Sequence, residues 1–419
     1  MENSEIGSSG AIRKRSRRRA VTIAMVAVAA LAASACGSSS KPSSSTTTTT
    51  PTSGSPTTVN ITPASFTSDF SAMAQLKSLV AKGTGLIGVL LPDTTSSARY
   101  ETFDRPYLTK AFQAAGLSSA DFKVDNAQGS ASTMQTQADA DITNGASVLL
   151  VDALDSGSGA AIEASAKAKG VAAIDYDRLV KGGASDRTYV SFNNVTVGQL
   201  IGKGEVSCIS AWSVKKPNIL IMDGDPTDNN AKLFAQGYNG VLKPYFDKGT
   251  YVKVGEPAGT WTPSIAATTF TQQYTANPNI NAVVTPNDDN ANAVIAQLQS
   301  LKIPAKTFPT TGQDASISGL QNILKGYQCG TVYKPIYLEA QAAAAAAIYL
   351  RAGEKVPSSL INGTTADTDA KTDVPSILLT PTWVTADNMA ATVVKDAAVK
   401  VSELCITAVA SACTAAGIK

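Results

Sequence analysis

Arg99-Tyr100, Asp177-Arg178, Asp228 with Asn230, Trp261, Asn287, Asp314 and Lys334 are side-chain types that together can hold hydroxyl groups. A sugar hydroxyl donates one hydrogen bond and accepts others, so its site needs carboxylates beside arginine, lysine and asparagine. The C–H face of a pyranose is apolar and packs on an aromatic plate, for which Trp261 and Tyr100 are available. Arg99, Arg178 and Lys334 against Asp177, Asp228 and Asp314 give three charges of each sign. That balance suits an uncharged polyol better than a phosphate or a carboxylate. Taken singly, each residue has a plainer explanation: Asp and Asn routinely cap the helix after a strand, and Asp228 and Asn230 fit either role. Their collective placement carries the argument.

Other chemistries fit less well. The 419 residues include no histidine, which excludes a Ser-His-Asp triad, a Cys-His dyad and histidine-bearing zinc sites. Neither a metal nor a cofactor is expected. Asp223/Asp225 and Asp288/Asp289 are the candidate carboxylate pairs for a secreted carbohydrate-active enzyme. Adjacent aspartates point apart, and three tryptophans are few for a polysaccharide groove. Gly157-Ser158-Gly159 lacks the third glycine and the Gly-Lys-Ser/Thr of phosphate loops, so it reads as a tight turn.

The site residues follow short apolar runs at Leu86–Leu91, Ser147–Ala153, Val171–Tyr176, Asn218–Met222 and Ala282–Thr285. Between the runs lie stretches of helical spacing at Tyr100–Ala115, Ser132–Asn144, Gly159–Lys169, Lys232–Tyr245, Ala291–Leu301, Ala315–Leu324 and Ile336–Leu350. Strands alternating with helices predict parallel sheets covered on both faces. The pattern runs twice, with a break near Ser191–Val195, so two doubly wound α/β lobes are expected. Ligands of such sheets bind beyond the carboxyl ends of the strands, where these residues stand. Phe66–Val80 reads as an amphipathic helix packed on one lobe, within an N-terminal helical segment at 61–83.

The N-terminus is an address. Arg13–Arg19 precedes Ala20–Ala33, fourteen uncharged residues, and then Ser34-Ala35-Cys36. At ~1.5 Å per residue that run is too short to cross ~30 Å of hydrocarbon, so a cleaved signal over 1–35 is expected. Residues 1–35 carry +4 and the remainder −2, so the mature chain lacks the basic surface that nucleic acid requires. Residues 37–58 are Ser, Thr, Pro and Gly with Lys41 the one charge, a composition that cannot offset its conformational entropy. The segment 36–60 is expected to be a flexible tether. Cys36 stands where cleavage would leave it first. This resembles the lipobox of bacterial lipoproteins, with Ala33 where Leu is usual, and implies lipidation of Cys36 and a place on the outer face of the cell membrane.

DYDR (Asp175–Arg178), SFNNVTVG (Ser191–Gly198), GDPTDNNAKLF (Gly224–Phe234), VLKPY (Val241–Tyr245), TPND (Thr285–Asp288), GQDA (Gly312–Ala315) and TVYKPI (Thr331–Ile336) stand in this order along the chain. The ordered set resembles the xylose-binding group of type 1 periplasmic sugar receptors, which serve ABC importers. The resemblance implies two Rossmann-like lobes joined by three crossovers, placed near Ser191–Val195, Gly312–Asp314 and Glu354–Ser358. The N-terminal lobe would then hold 84–192 and 314–355, the C-terminal lobe 193–313 and 356–405, with a tail at 406–419. It further implies a monosaccharide ligand, xylose-like pentoses foremost, held by Arg99, Tyr100, Asp177, Arg178, Asp228, Asn230, Trp261, Asn287, Asp314 and Lys334. An ABC permease would be the membrane partner and the receptor a monomer. Tyr100 replaces the group's usual Trp, and Asn193 its usual Asp. A sensor of the same fold, feeding a signalling partner, would use identical binding chemistry. Of the remaining cysteines, Cys405 and Cys413 are near neighbours and are expected to pair. Cys208 and Cys329, assigned to opposite lobes, are expected to be free buried thiols rather than a bridge that locks the hinge.

Overall fold

A computed structural model describes residues 59–94, 97 and 99–419. The expected signal, Cys36 and the expected tether to residue 58 lie outside the described residues. The segment at 61–83 is not one long helix: a 3-10 stretch at Ser71–Leu76 leads into α1 (Lys77–Lys82), because Phe70 takes a positive φ of 66° and breaks the run.

Seven strands form the first sheet: β1 (Leu86–Leu91), β2 (Phe122–Asn126), β3 (Ala146–Val151), β4 (Ala172–Tyr176), β5 (Thr188–Phe192), β10 (Gly363–Asp367) and β11 (Thr372–Leu379). Their order is β10-β11-β5-β4-β3-β1-β2, parallel throughout except for the β10–β11 hairpin. The connections run through α2 (Arg105–Ala115), α3 (Ala131–Thr143) and α4 (Ser156–Ala168). Gly157-Ser158-Gly159 is the first turn of α4 rather than a free turn, since the Asp155 carboxylate caps the Ser158 amide. Later in the chain α10 (Ile336–Arg351) enters the same core. Its run of alanines is buried on all sides, and small side chains let that backbone approach the sheet closely.

The second sheet has the order β7-β6-β8, from β6 (Asn218–Ile221), β7 (Val252–Gly255) and β8 (Ala282–Val284). Parallel bridges Val283–Thr310 and Gln313–Val332 continue it to β9 (Thr331–Tyr333), which pairs with β12 (Thr382–Val384). Around it lie α5 (Asn194–Ala211), α6 (Asn229–Asp247), α7 (Pro263–Ala276), α8 (Asp288–Ser300) and α9 (Ile317–Lys325). The chain ends in α11 (Val401–Leu404) and α12 (Ala410–Ala415). The tail at 406–419 buries Val409, Cys413 and Ile418 against α9 and β12.

The chain passes between the two sheets at Phe192–Asn194, Tyr333–Ile336 and Leu379–Thr382. The second and third passages lie downstream of the expected Gly312–Asp314 and Glu354–Ser358. Strand β9 adds to the second sheet through Val332, and β11 returns to pair with β5. Residues 314–335 therefore belong with the second lobe and 356–379 with the first. The same shift corrects the cysteines. Cys208 on α5 and Cys329 before β9 are disulfide-bonded, with Cα atoms 5.7 Å apart. Both pack on the second sheet, so the bridge staples one lobe and leaves the hinge unlocked. Cys405 and Cys413 are bridged as well, closing a short loop at the chain end.

Candidate functional site

In the first sheet, β1 lies between β2 and β3, so the connections leave β1 to opposite sides and open a crevice at the strands' carboxyl ends. Arg99 follows β1, Asp152 follows β3, and Asp177-Arg178 follow β4. The second sheet supplies the facing groups by the same rule. Asp228 caps α6 after β6, Asn287 caps α8 after β8, and Trp261 lies between β7 and α7. Asp314 follows the bridged Gln313, and Lys334 follows β9. Asp228 and Asn287 are thus both caps and site residues: each holds a helix amide with one oxygen, Asp228 that of Asn230 and Asn287 that of Asn290.

Arg99, Tyr100, Asp177, Arg178, Asp228, Asn230, Trp261, Asn287, Asp314 and Lys334 line one cavity. Ser97, Phe234 and Gln313 complete the wall, beyond the residues expected from sequence. Gln313 stands inside the GQDA stretch, and Phe234 closes the GDPTDNNAKLF stretch within α6.

Asp177 is the centre of the network. It has a left-handed φ of 56°, a conformation that costs about 1–3 kcal/mol outside glycine and less for Asp. That turn aims its carbonyl at three donors: Ser191 Oγ at 2.8 Å, Tyr189 Oη at 2.9 Å and Asn230 Nδ2 at 2.9 Å. Its carboxylate accepts from Arg99 Nη1 at 2.9 Å, Lys334 Nζ at 3.4 Å and Tyr100 Oη at 3.3 Å. Burial raises the Asp177 carboxyl, but Arg99, Lys334 and Arg178 outweigh it and hold it well below the usual range. Tyr100 works through its hydroxyl, which also accepts from Arg178 Nη2 at 2.9 Å.

Behind the cavity the charge balance differs from the one read in sequence. Arg99 donates to Asp104 at 2.6 and 2.9 Å and to Glu339 of α10 at 2.8 Å, and all three side chains are buried. Arg178 Nε lies 3.5 Å from Asp152 and 3.3 Å from Asp228. Three cations therefore face six carboxylates: Asp104, Asp152, Asp177, Asp228, Asp314 and Glu339. Burial raises the Asp152, Asp228 and Asp314 carboxyls against the pull of nearby cations, and pushes Glu339 up to about 8 despite Arg99. Such a site holds protons rather than admitting a further anion.

Trp261 forms the apolar wall. Its Nε1 donates to Asp228 at 3.1 Å, and its ring meets Phe234 edge to face with centroids 6.4 Å apart. Gly224 lets the indole seat: a Cβ there would lie 2.2 Å from the ring. Trp261→Ala is expected to weaken ligand binding by about 1–3 kcal/mol through lost burial and C–H/π contact. Titration calorimetry checks this against a native circular dichroism spectrum, and an unchanged affinity would remove Trp261 from the site.

Residues 87–355 match the family model described as periplasmic binding protein domain. The chain belongs to the periplasmic binding protein family. Its fold is the type 1 form, two doubly wound lobes with mostly parallel sheets, and the family comprises transport receptors rather than enzymes. This periplasmic binding protein is 38% identical over 285 residues to the D-xylose-binding periplasmic protein of Escherichia coli strain K12, covering 67% of this chain and 82% of that one. It is 30% identical over 361 residues to a multiple sugar-binding periplasmic protein of Azospirillum brasilense, covering 79% and 96% of the two chains. A carbohydrate transporter solute binding protein from Chloroflexus aurantiacus, solved in complex with D-glucose, superposes with a TM-score of 0.66 at 26% identity, covering 76% of this chain and 98% of that one.

Proposed function

We propose that this protein captures a neutral monosaccharide, a xylose-like pentose foremost, and delivers it to an ABC permease. The observation that carries the reading is the convergence of ten polar and aromatic residues from two sheets on one cavity, where Arg99, Arg178 and Lys334 face Asp177, Asp228 and Asp314. Carboxylates accept from sugar hydroxyls, Arg178, Lys334 and Asn230 donate, and Trp261 offers a plate to the C–H face. A further anion would find Arg99, Arg178 and Lys334 already paired with buried carboxylates, at a cost of several kcal/mol, which sets sugar phosphates and sugar acids aside. A sugar touching both lobes binds their closed arrangement better than the open one, so it shifts the population toward closure, and the permease reads the closed surface. The relatives that bind xylose or several sugars support the class.

The test is a thermal-shift screen of the purified protein against pentoses, hexoses, sugar phosphates and amino acids. A ligand at a hundred times its dissociation constant adds ~2.7 kcal/mol, which raises the melting temperature visibly. Stabilisation by a phosphate ester or an amino acid, with none by any neutral sugar, would overturn the reading.

The proposed setting is extracytoplasmic, as a monomer held at the membrane by lipid on Cys36. Cys36→Ser is expected to release the protein into the medium or leave it unprocessed. A Cys36→Ser protein that stays membrane-bound at the mature size would show that the anchor lies elsewhere.

A further inference from the structure

Arg178 is held to the first lobe at both ends of its guanidinium: Nη2 donates to Tyr100 Oη at 2.9 Å, and Nη1 to the carbonyl of Ala153 at 3.3 Å. Its Nε makes no hydrogen bond, and stands 3.5 Å from Oδ1 of Asp152 and 3.3 Å from Oδ2 of Asp228. These two carboxylates belong to different lobes. Asp152 follows β3, whereas Asp228 is tied to the second lobe, accepting from the Asn230 amide at 2.8 Å and from Trp261 Nε1 at 3.1 Å. Asp152 is fully buried and does not line the sugar cavity. Neither of its oxygens accepts a hydrogen bond from the described residues. A buried carboxylate in that position is costly unless a cation or a proton answers it.

Parting the lobes carries Asp228 away with Trp261 and leaves Arg178 where Tyr100 and Ala153 hold it. Asp152 is then the carboxylate beside Nε, and water reaches the strand ends of the first sheet. Bringing the lobes together sets both carboxylates against the same Nε in a buried site, where one cation does not satisfy two anions. Resting on the sugar-binding reading above, we propose that Asp152 is a positioning residue for sugar capture, which holds Arg178 while the lobes are apart and yields it to Asp228 when they close around the sugar. The yielding carboxylate takes one proton from solvent, and opening returns it. The groups facing Asp152 favour that protonation. Asp177 and Arg178 face it from the end of β4, and Arg99, Tyr100 and Asp104 from the segment after β1. Burial and Asp177, with Asp104 adding to them, raise the Asp152 carboxyl well above its usual range, against the pull of Arg178 and Arg99. An acid raised on closure binds its proton more tightly when the sugar is held. Sugar affinity is therefore greatest below the ordinary aspartate range and falls as pH rises from there, by at most about tenfold per pH unit.

Titration calorimetry on the purified protein, at pH 5 and pH 8 and in two buffers of different ionisation enthalpy, reads affinity and proton count together. The probe is xylose first, then the pentose or hexose that most stabilises the protein in the thermal-shift screen. The native protein is expected to take up on the order of one proton per sugar at pH 8, and to bind about tenfold more tightly at pH 5. Asp152→Asn keeps the shape and removes the charge. It is expected to bind about tenfold more tightly than the native protein at pH 8, to lose most of that advantage at pH 5, and to take up about one proton fewer. Asp228→Asn weakens the sugar but leaves Nε to Asp152 in both arrangements, so its proton uptake is expected to fall likewise. Sugar binding by the native protein with no proton uptake would overturn the role of Asp152 whatever the variants do, and leave the sugar-receptor reading intact. Asp152→Asn binding more weakly than the native protein at both pH values, or undiminished uptake in either variant, would overturn it as well. If no pentose or hexose binds, the sugar-receptor reading falls together with this one.

Discussion

Arg99→Met is expected to destabilise the protein by about 3–5 kcal/mol, the usual consequence of removing one partner from a buried ion cluster. Scaling an unfolding entropy of about 2.1 cal/mol/K per residue to the folded span 59–419 makes this a fall of about 4–7 °C in melting temperature. Methionine keeps most of the side-chain volume, so the loss comes from charge rather than from a cavity. Arg99 satisfies Asp104, Asp177 and Glu339 at once, at distances of 2.6–2.9 Å. Without it Asp104 and Glu339 lose their buried cation, and Asp177 keeps Lys334 at 3.4 Å. The defect also depends on pH. Burial raises Glu339 from 4.5 to about 8 in the native protein, against the pull of Arg99. A carboxyl raised on folding binds its proton more tightly in the folded state. Its stabilising contribution is therefore full below pH 4.5 and lost as pH rises through about 8. Removing Arg99 takes away the influence that lowers Glu339, so the variant falls further behind the native protein at pH 8 than at pH 5. Calorimetric melts at both values check this. A melting temperature unchanged at pH 8, or a larger deficit at pH 5, would mean the cluster is not organised by Arg99.

Much of this site was readable because the chemistry of a doubly wound fold is tied to strand ends. An apolar run such as Leu86–Leu91 announces a buried parallel strand, and its bounds match β1. The polar residues just after such runs then have to face one cleft, whichever lobe they come from. Asp177 and Asp228 are distant in sequence, yet their positions after β4 and β6 bring both to the same cavity. Strand pairing over long separations was less legible. Nothing local in Thr331–Tyr333 tells that it joins the second sheet through Gln313, or that Thr372–Leu379 returns to β5. That one ambiguity moved two crossovers and put Cys208 and Cys329 on opposite lobes. β2, with exposed and half-buried residues at its centre, offered too weak an apolar pattern to be read. The carboxylates behind the site were hidden for another reason. Asp104 and Glu339 lie inside helical stretches, where a charged residue normally faces water. Only the unbroken alanine run after Glu339 signals that this helix has no wet face.

Asp314→Ala is expected to cost roughly 2–4 kcal/mol of sugar affinity, roughly a 30- to 1,000-fold rise in dissociation constant. Asp314 joins the two lobes' chemistry. Its carboxylate accepts from Ser97 Oγ at 3.2 Å, on the loop after β1, and from the amide of its neighbour Gln313. Lys334 Nζ stands 4.0 Å away, and would lose this counter-charge in the variant. Burial raises the Asp314 carboxyl while Lys334 and Arg99 lower it. The backbone there has a φ of 99°, which aspartate and asparagine tolerate better than alanine. Asp314→Asn therefore separates the two contributions. It keeps the backbone preference and one acceptor oxygen but removes the charge, and is expected to lose less affinity than Asp314→Ala. Titration calorimetry on both variants, with melting temperatures in parallel, reads the difference. Affinities within threefold of the native protein for Asp314→Ala would take Asp314 out of the ligand's contacts. Equal losses for both variants would assign the effect to its charge on Lys334 alone.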